Sequence, residues 1–379
     1  MKNSELRIAE LSDIHLGHPN TPTDHILATL RRAFPNNEQT EALDLIFIAG
    51  DVFDRQLQLP DEAVYEIRLW IIHFLAMCKR FDIVVRVLEG TPSHDWKQSK
   101  LFTHLNEIAN IGADVEYFNL LTIEHIDRFG IDVLYIPDEW RPTCEETWHE
   151  VVAALRFHEL EQVDFVVMHG AFPHQLPKAT HGKLEMHDPE RYLGITRHYV
   201  FVGHIHLYSQ YERILAAGSF DRISHGEESP KGHLRLVVRD NGVDDIQFIP
   251  NPFAKIYLTV VCEGLDEYEA PAKIERAIKR LPEGSFVRLR CRKTDVAMTL
   301  VSHYTLNWPQ FRWSVKEVSL KTKEDAVILT DNRSQLSTIR ITKDNISALL
   351  LARVHAKQPL LTARCEKLLQ ETLHECRTP

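Results

Sequence analysis

Apolar and polar positions keep two rhythms over the first 250 residues. Short aliphatic runs at residues 7–11, 44–48, 83–88, 132–136, 164–168 and 199–202 are bounded by Gly, Asp or Pro, the mark of buried strands. Between them, residues 24–34, 61–81, 97–109 and 145–161 read as helices. In the second of these, Val64, Ile67, Ile71, Phe74 and Leu75 repeat at helical spacing. Strand–helix alternation predicts an α/β sandwich. After Val202 the runs shorten, to 213–217, 233–239 and 245–249, and predict a second, largely antiparallel sheet.

Pro250-Asn251-Pro252 punctuates the chain. Beyond it, strands at 255–262, 286–290 and 312–319 and a helix at 270–281 make a small α/β module, residues 251–332. A helical stripe follows, with Ile346, Leu349, Leu350 and Val354, then Pro359, then Leu360, Leu361, Leu368, Leu369 and Leu373. Three parts result: 1–250, 251–332 and 333–379.

Composition narrows the class. With 44% hydrophobic and 26% charged residues, the 379-residue chain is neither disordered nor fibrous. Six Cys without a C-x-x-C pair point to a reducing compartment and away from a Cys-type zinc site. The N-terminus has no apolar signal core and no apolar run nears membrane-spanning length, so a soluble, cytoplasmic protein without a membrane partner is expected. The net charge of −10 hides an asymmetry. Residues 1–250 hold 23 basic and 39 acidic residues, a balance of −16, whereas 251–379 hold 21 and 15, a balance of +6. An acidic front suits cations and a basic rear suits a polyanion. The 21 His are many for this length, and His is both metal ligand and proton carrier.

Five short segments each follow a strand directly: Asp13-Ile14-His15-Leu16-Gly17, Gly50-Asp51-Val52-Phe53-Asp54, Gly90-Thr91-Pro92-Ser93-His94-Asp95, His169-Gly170 and Gly203-His204-Ile205-His206. Strand ends of an open α/β sheet gather at one edge, so these loops can converge. In Asp-x-His and His-x-His, alternate residues point to one side, and each pair can bite one metal. Mixed carboxylate and imidazole donors suit Mn, Fe or Zn rather than Mg or Ca alone. One such motif means little; all of them in this order, each at a strand end, are specific.

Over about residues 6–250 the set resembles the calcineurin-type metallophosphoesterase superfamily. Within it, Asp-x-His-Leu-Gly at 13–17 and the run Gly218-Ser219-Phe220-Asp221-Arg222-Ile223-Ser224-His225-Gly226-Glu227 are similar to the SbcD family of DNA double-strand-break processing nucleases. The resemblance implies a four-layer αββα metallophosphoesterase sandwich, with residues 251–332 as an α/β capping domain and 333–379 as a C-terminal helical segment. It also implies two Mn²⁺ ions, with Mg²⁺ or another divalent metal as substitutes. Asp13, His15 and His206 would hold the first ion, and His169 and His204 the second, with Asp51 bridging. His94 would act at the scissile phosphate, and Asp54 would orient His94 or a ligand. The third segment departs from the family's Gly-Asn-His-Asp: Ser93 stands in the Asn place after two extra residues. Ser93 is therefore expected to ligate the second metal, with Thr91 a competing hydroxyl. Asp95 reads as a turn or cap residue.

The SbcD-like run, the basic cap and the leucine-rich C-terminal segment favour double-stranded DNA as substrate. Arg288, Arg290, Arg292 and Lys293 are the expected phosphate-holding residues. The resemblance implies 3′-to-5′ exonuclease and endonuclease action on duplex ends, in repair and recombination. It also implies a homodimer and an SbcC-type coiled-coil ATPase partner docked on the C-terminal segment. Two other readings stand beside it: a stand-alone phosphodiesterase or phosphatase on a small phosphoester, and a scaffold whose altered Ser93 site no longer turns over.

Overall fold

Two six-stranded sheets packed face to face build the body of the protein. The computed structural model describes residues 5–58, 61–181, 184–239 and 244–318. The chain divides into two units, Met1–Glu317 and Val318–Pro379. The helical segment expected from residue 333 lies outside the described residues.

In the first sheet, β1 (Glu5–Leu11), β2 (Leu45–Ala49), β3 (Val84–Leu88) and β4 (Val115–Phe118) are parallel neighbours. In the second, β5 (Thr122–Ile126) runs antiparallel to β6 (Ile131–Ile136), and β7 (Val163–His169) and β8 (Thr196–Gly203) continue in parallel. At its far edge, β9 (Ser209–Tyr211) pairs with β10 (Ile214–Ala216), which runs parallel to β8. The chain then returns to the first sheet. There β11 (Gly232–Arg239) pairs antiparallel with β1, Glu5 opposite Arg239, and β12 (Asp245–Pro250) forms the outer edge.

The separate antiparallel sheet expected after residue 202 therefore does not form. Its strands are shared between the edges of the two parallel sheets, where unpaired N–H and C=O groups accept them. Such long-range pairing leaves no trace in the local pattern.

Every residue of β2 and β3 is buried, as strands covered on both faces require. The Phe47 ring lies 5.6 Å from Phe201 and 6.3 Å from Phe165, filling the space between the sheets. Helices Thr23–Ala33 and Glu62–Phe81 cover the first sheet through Ile26, Leu30, Ile67 and Ile71. Helices Cys144–Phe157 and Pro189–Ile195 cover the second through Val151, Leu155 and Tyr192. The result is an αββα sandwich. No helix among the described residues is long and apolar enough to cross a membrane.

After β12, the strands β13 (Tyr257–Val261), β14 (Phe286–Cys291) and β15 (Arg312–Glu317) form a small parallel sheet. Helices Glu269–Ile278 and Ala297–Asn307 bury one face of it against Val260, Val287 and Leu289. Alternation along the strands leaves Thr259, Arg288, Arg290, Arg312, Ser314 and Lys316 on the other face. This sheet is tied to the body: Tyr257 Oη lies 2.7 Å from Thr21 Oγ1, and Asp221 accepts from the Lys255 backbone N–H at 2.6 Å.

Candidate metal centre

The C-terminal ends of β1, β2, β3, β6, β7 and β8 meet at one edge of the sandwich. The loops after β1 and β2 are zipped together: Asp13 N–H donates to Gly50 O at 3.0 Å, and Ile14 and His15 N–H donate to Asp51 O at 2.8 and 3.1 Å. This register forces unusual backbone. Asp13, His15, Asp51 and His204 take φ of 50°, 55°, 49° and 96°, in a region that disfavours residues with a side chain. Strain of this kind persists where surrounding structure over-determines it, characteristically at functional sites. Gly50 has φ 87°, and a Cβ there would strike the His169 imidazole and come within 2.7 Å of Gly90 Cα. Only glycine lets the second, third and fourth loops approach so closely.

Four overlapping groups of ligand-type side chains result, each with its donor atoms within 4.8 Å of one another: Asp13, His15 and His206; Asp138, His169 and His204; and, through Asp51, His15 with His94 and Asp13 with His169. In the first, His15 Nε2 faces His206 Nε2 at 3.0 Å, and His206 Nε2 lies 3.6 Å from Asp13 Oδ1. In the second, His204 Nδ1 lies 3.6 Å from Asp138 Oδ2. Asp51 stands between them, its Oδ2 3.9 Å from His15 Nε2, 3.4 Å from His169 Nε2 and 2.8 Å from His94 Nδ1. Asp13, His15, Asp51 and His169 are all buried.

Neighbouring groups fix these side chains. A carbonyl can only accept, so His169 Nδ1 donates to Ala49 O at 2.7 Å, which leaves Nε2 toward Asp51. The Asp13 carboxylate accepts the His204 backbone N–H at 3.1 Å on both oxygens. Asp54 Oδ1 lies 3.2 Å from His15 Nδ1, so of its two expected tasks the structure places it beside a ligand-type His. Behind His206, Glu227 Oε1 lies 3.5 Å from Nδ1. Buried Lys231 holds that region together, its Nζ donating to His206 O, Ser219 Oγ and Glu227 at 2.7, 2.7 and 2.8 Å. The Gly218–Glu227 run thus braces His206. Buried Asp95 accepts backbone N–H groups from Phe53 and Gly90 at 2.8 and 2.7 Å and so locks the second and third loops.

Electrostatics follows from this crowding. Burial alone would raise the Asp51 carboxyl, but His169, then His94 and His15, outweigh it and hold it well below the usual carboxylate range. The bond to Asp51 raises His94 against its partial burial. Burial and the adjacent His169 lower His204. Asp95 is driven by burial, and then by Asp51 and Glu89, up to about 8.

Two residues correct the sequence reading. Ser93 is exposed. The single helical turn Pro92–Asp95 absorbs the two extra residues and leaves Ser93 outside. Thr91 takes the inner place: its Oγ1 lies 3.0 Å from Asp138, 3.2 Å from Asp51 and 3.5 Å from both His169 and His204. Asp138 has no His or Gly beside it to mark it in the sequence, although it follows β6 by two residues, a strand end like the other five. Of the four basic residues assigned to DNA, Arg288 and Arg290 lie on the second face of the small sheet, 3.1 Å from Thr259 and 2.5 Å from Glu263. Arg292 and Lys293 are exposed beyond its end.

Buried carboxylates interleaved with imidazoles, their donor atoms converging and their outer nitrogens anchored, fit divalent cations such as manganese, iron or zinc. No curated protein matches the chain. One chain from a crystal structure is similar over 64% of this chain and 98% of its own, at 11% identity and a TM-score of 0.37, too slight a likeness to bear on function. The family model for the calcineurin-like phosphoesterases matches residues 6–208, more than half of the chain. The chain belongs to the calcineurin-like phosphoesterase family.

Proposed function

We propose that this phosphoesterase is a manganese-dependent nuclease that cleaves DNA at duplex ends. Asp13, His15 and His206 would hold one cation, Asp138, Thr91, His169 and His204 the other, and Asp51 would serve both. Two bound cations would supply phosphate binding, activation of a water and stabilisation of the leaving oxygen.

The chain's own residues do the rest. His94 Nδ1–H donates to Asp51 at 2.8 Å, which orients the ring and favours its imidazolium form, whose Nε2–H can protonate the departing oxygen. Its side chain is 38% exposed, so a substrate can reach it. Asp54, Glu227 and Lys231 hold His15 and His206 in place.

One observation carries the step from phosphoester to DNA. The second face of the small sheet carries Arg288 and Arg290 on β14 and Arg312 and Lys316 on β15, with Arg290 opposite Lys316 and paired with Glu263. That face is joined to the site: Arg312 Nη1 donates to Asn20 O at 3.4 Å, and His225, two residues before Glu227, lies 3.3 Å from Thr259. Four guanidinium and ammonium groups on one face suit the phosphates of a polynucleotide more than one small ester. Arg292 and Lys293 extend the same basic edge.

The SbcD-like run supports the same assignment. With it come a homodimer and an ATPase partner, docked through the residues from 333 onward. Purified protein with Mn²⁺, given linear duplex DNA and a chromogenic phosphodiester, tests the function. Degradation of the duplex is expected; hydrolysis of the small ester alone makes the protein a small-molecule phosphodiesterase, and no turnover makes it a scaffold.

A further inference from the structure

Among the described residues, three large apolar side chains that stay exposed lie one or two residues beyond site histidines: Trp96 after His94, and Leu207 and Tyr208 after His206. Trp96 is the most exposed of them, at 53%. Burying an indole stabilises a fold, so leaving one in water beside a phosphoester site calls for a reason.

Its backbone adds to the oddity. Trp96 and Lys97 take φ of 49° and 58°, two successive left-handed residues, neither of them glycine. The conformation is held from all sides. Asp95 is pinned to the Phe53 and Gly90 backbone. Glu89 accepts the Lys97 N–H at 2.6 Å, and Gln98 Nε2 donates to Arg55 O at 2.9 Å. The indole itself is tethered, its Nε1–H donating to Ser93 O at 2.8 Å. A rigid, exposed ring therefore stands two residues from His94, with the exposed cations Lys97 and Arg55 on the adjoining segments.

We infer that Trp96 is a stacking platform for an unpaired nucleobase next to the scissile phosphate, so that the strand cleaved is single or frayed at the site. This rests on the DNA assignment above. Every base has a π-face, so the platform grips a strand without reading its sequence. An interior base pair has both faces covered by its neighbours, so the platform favours unpaired bases and opened ends over intact duplex.

The test uses the full-length protein and a fluorescent single-stranded oligonucleotide, with affinity read by anisotropy and cleavage by gel in Mn²⁺. Trp96→Gly suits the left-handed backbone and removes the ring; Trp96→Phe keeps a ring without the tether. Trp96→Gly is expected to raise Kd about tenfold, and Trp96→Phe far less. An abasic residue at the cleaved step should weaken the wild type to the same extent and leave Trp96→Gly unchanged. Calorimetric Mn²⁺ binding shows that both variants are folded. Should Trp96→Gly bind and cut the normal strand like the wild type, the platform is overturned while the DNA assignment stands. Should the wild type cut no DNA yet hydrolyse a chromogenic phosphodiester, the DNA assignment falls and the platform with it.

Discussion

The imidazole of His169 donates its Nδ1–H to the carbonyl of Ala49, 2.7 Å away, across the gap between the two sheets. Gly203 lies alongside this bond. A Cβ at Gly203 would collide with Ala49 O and stand 2.6 Å from His169 Nδ1. Gly203→Ala should thus turn the ring without removing any ligand atom. Losing such an orienting bond typically costs 10–100-fold in metal affinity. Titration with Mn²⁺ should show one of two sites weakened by about that factor, and two unchanged sites would show that the bond does not set the ring.

Thr91 and Ser93 separate cleanly by mutation. Thr91→Ala removes a hydroxyl in contact with Asp51, Asp138, His169 and His204, whereas Ser93→Ala trims an exposed side chain. Metal stoichiometry should fall toward one for Thr91→Ala and for Asp138→Asn, and stay at the wild-type value for Ser93→Ala. A loss of metal with Ser93→Ala would restore the sequence-based assignment.

These two corrections mark what the sequence could and could not show. Asp13, His15, Asp51, His169, His204 and His206 announce themselves because each sits at the end of a buried aliphatic run, where local pattern is strongest. Thr91 and Ser93 are two residues apart, and only the pitch of the turn Pro92–Asp95 decides which faces inward. Asp138 also follows a run that was recognised, but it lacks a neighbouring His or Gly to draw attention. The fold behaves in the same way. The strands of the parallel cores were legible, whereas β11 finds its place beside β1, far back in the chain, and carries β12 with it. Lys231 could not be foreseen as a brace, since its partners Ser219, Glu227 and His206 come together only in the folded chain.

A buried charge joins the two sheets away from the site. Arg86 of β3 is 5% exposed, and its guanidinium lies 2.8 Å from Glu124 of β5 and 2.7 Å from Asp114. Tyr135 donates its hydroxyl to the same Glu124 at 2.8 Å. Glu124→Leu leaves Arg86 with only the half-exposed Asp114, and should cost about 3 kcal/mol in urea unfolding. Replacing the whole group, as Arg86→Met with Glu124→Leu and Tyr135→Phe, should recover most of that loss, because no uncompensated charge then stays buried. A triple variant as unstable as the single one would mean that the network is worth more than its desolvation costs.

Stability should also fall in mild acid, through His233. This residue of β11 is buried, its ring 5.0 Å from Phe34, and its Nε2 accepts from Arg235 at 3.3 Å. Burial, and then Arg235, lower its pKa to about 3. In the unfolded chain the same imidazole titrates near its ordinary value of about 6.5. Above that pH both states are neutral and His233 contributes no pH dependence. Below it the unfolded chain takes up a proton that the folded protein refuses, so stability declines as pH drops from about 6.5 toward the folded value, by about 1.4 kcal/mol per unit. Other histidines titrate in the same window, so the comparison must be with His233→Leu, which deletes this linkage alone. Between pH 7.5 and 5.5 the wild type should lose about 1.4 kcal/mol more than the variant, measured by urea unfolding at each pH. Equal losses in the two proteins would show that His233 is protonated in the folded state, and that the pocket around Phe34 tolerates its charge.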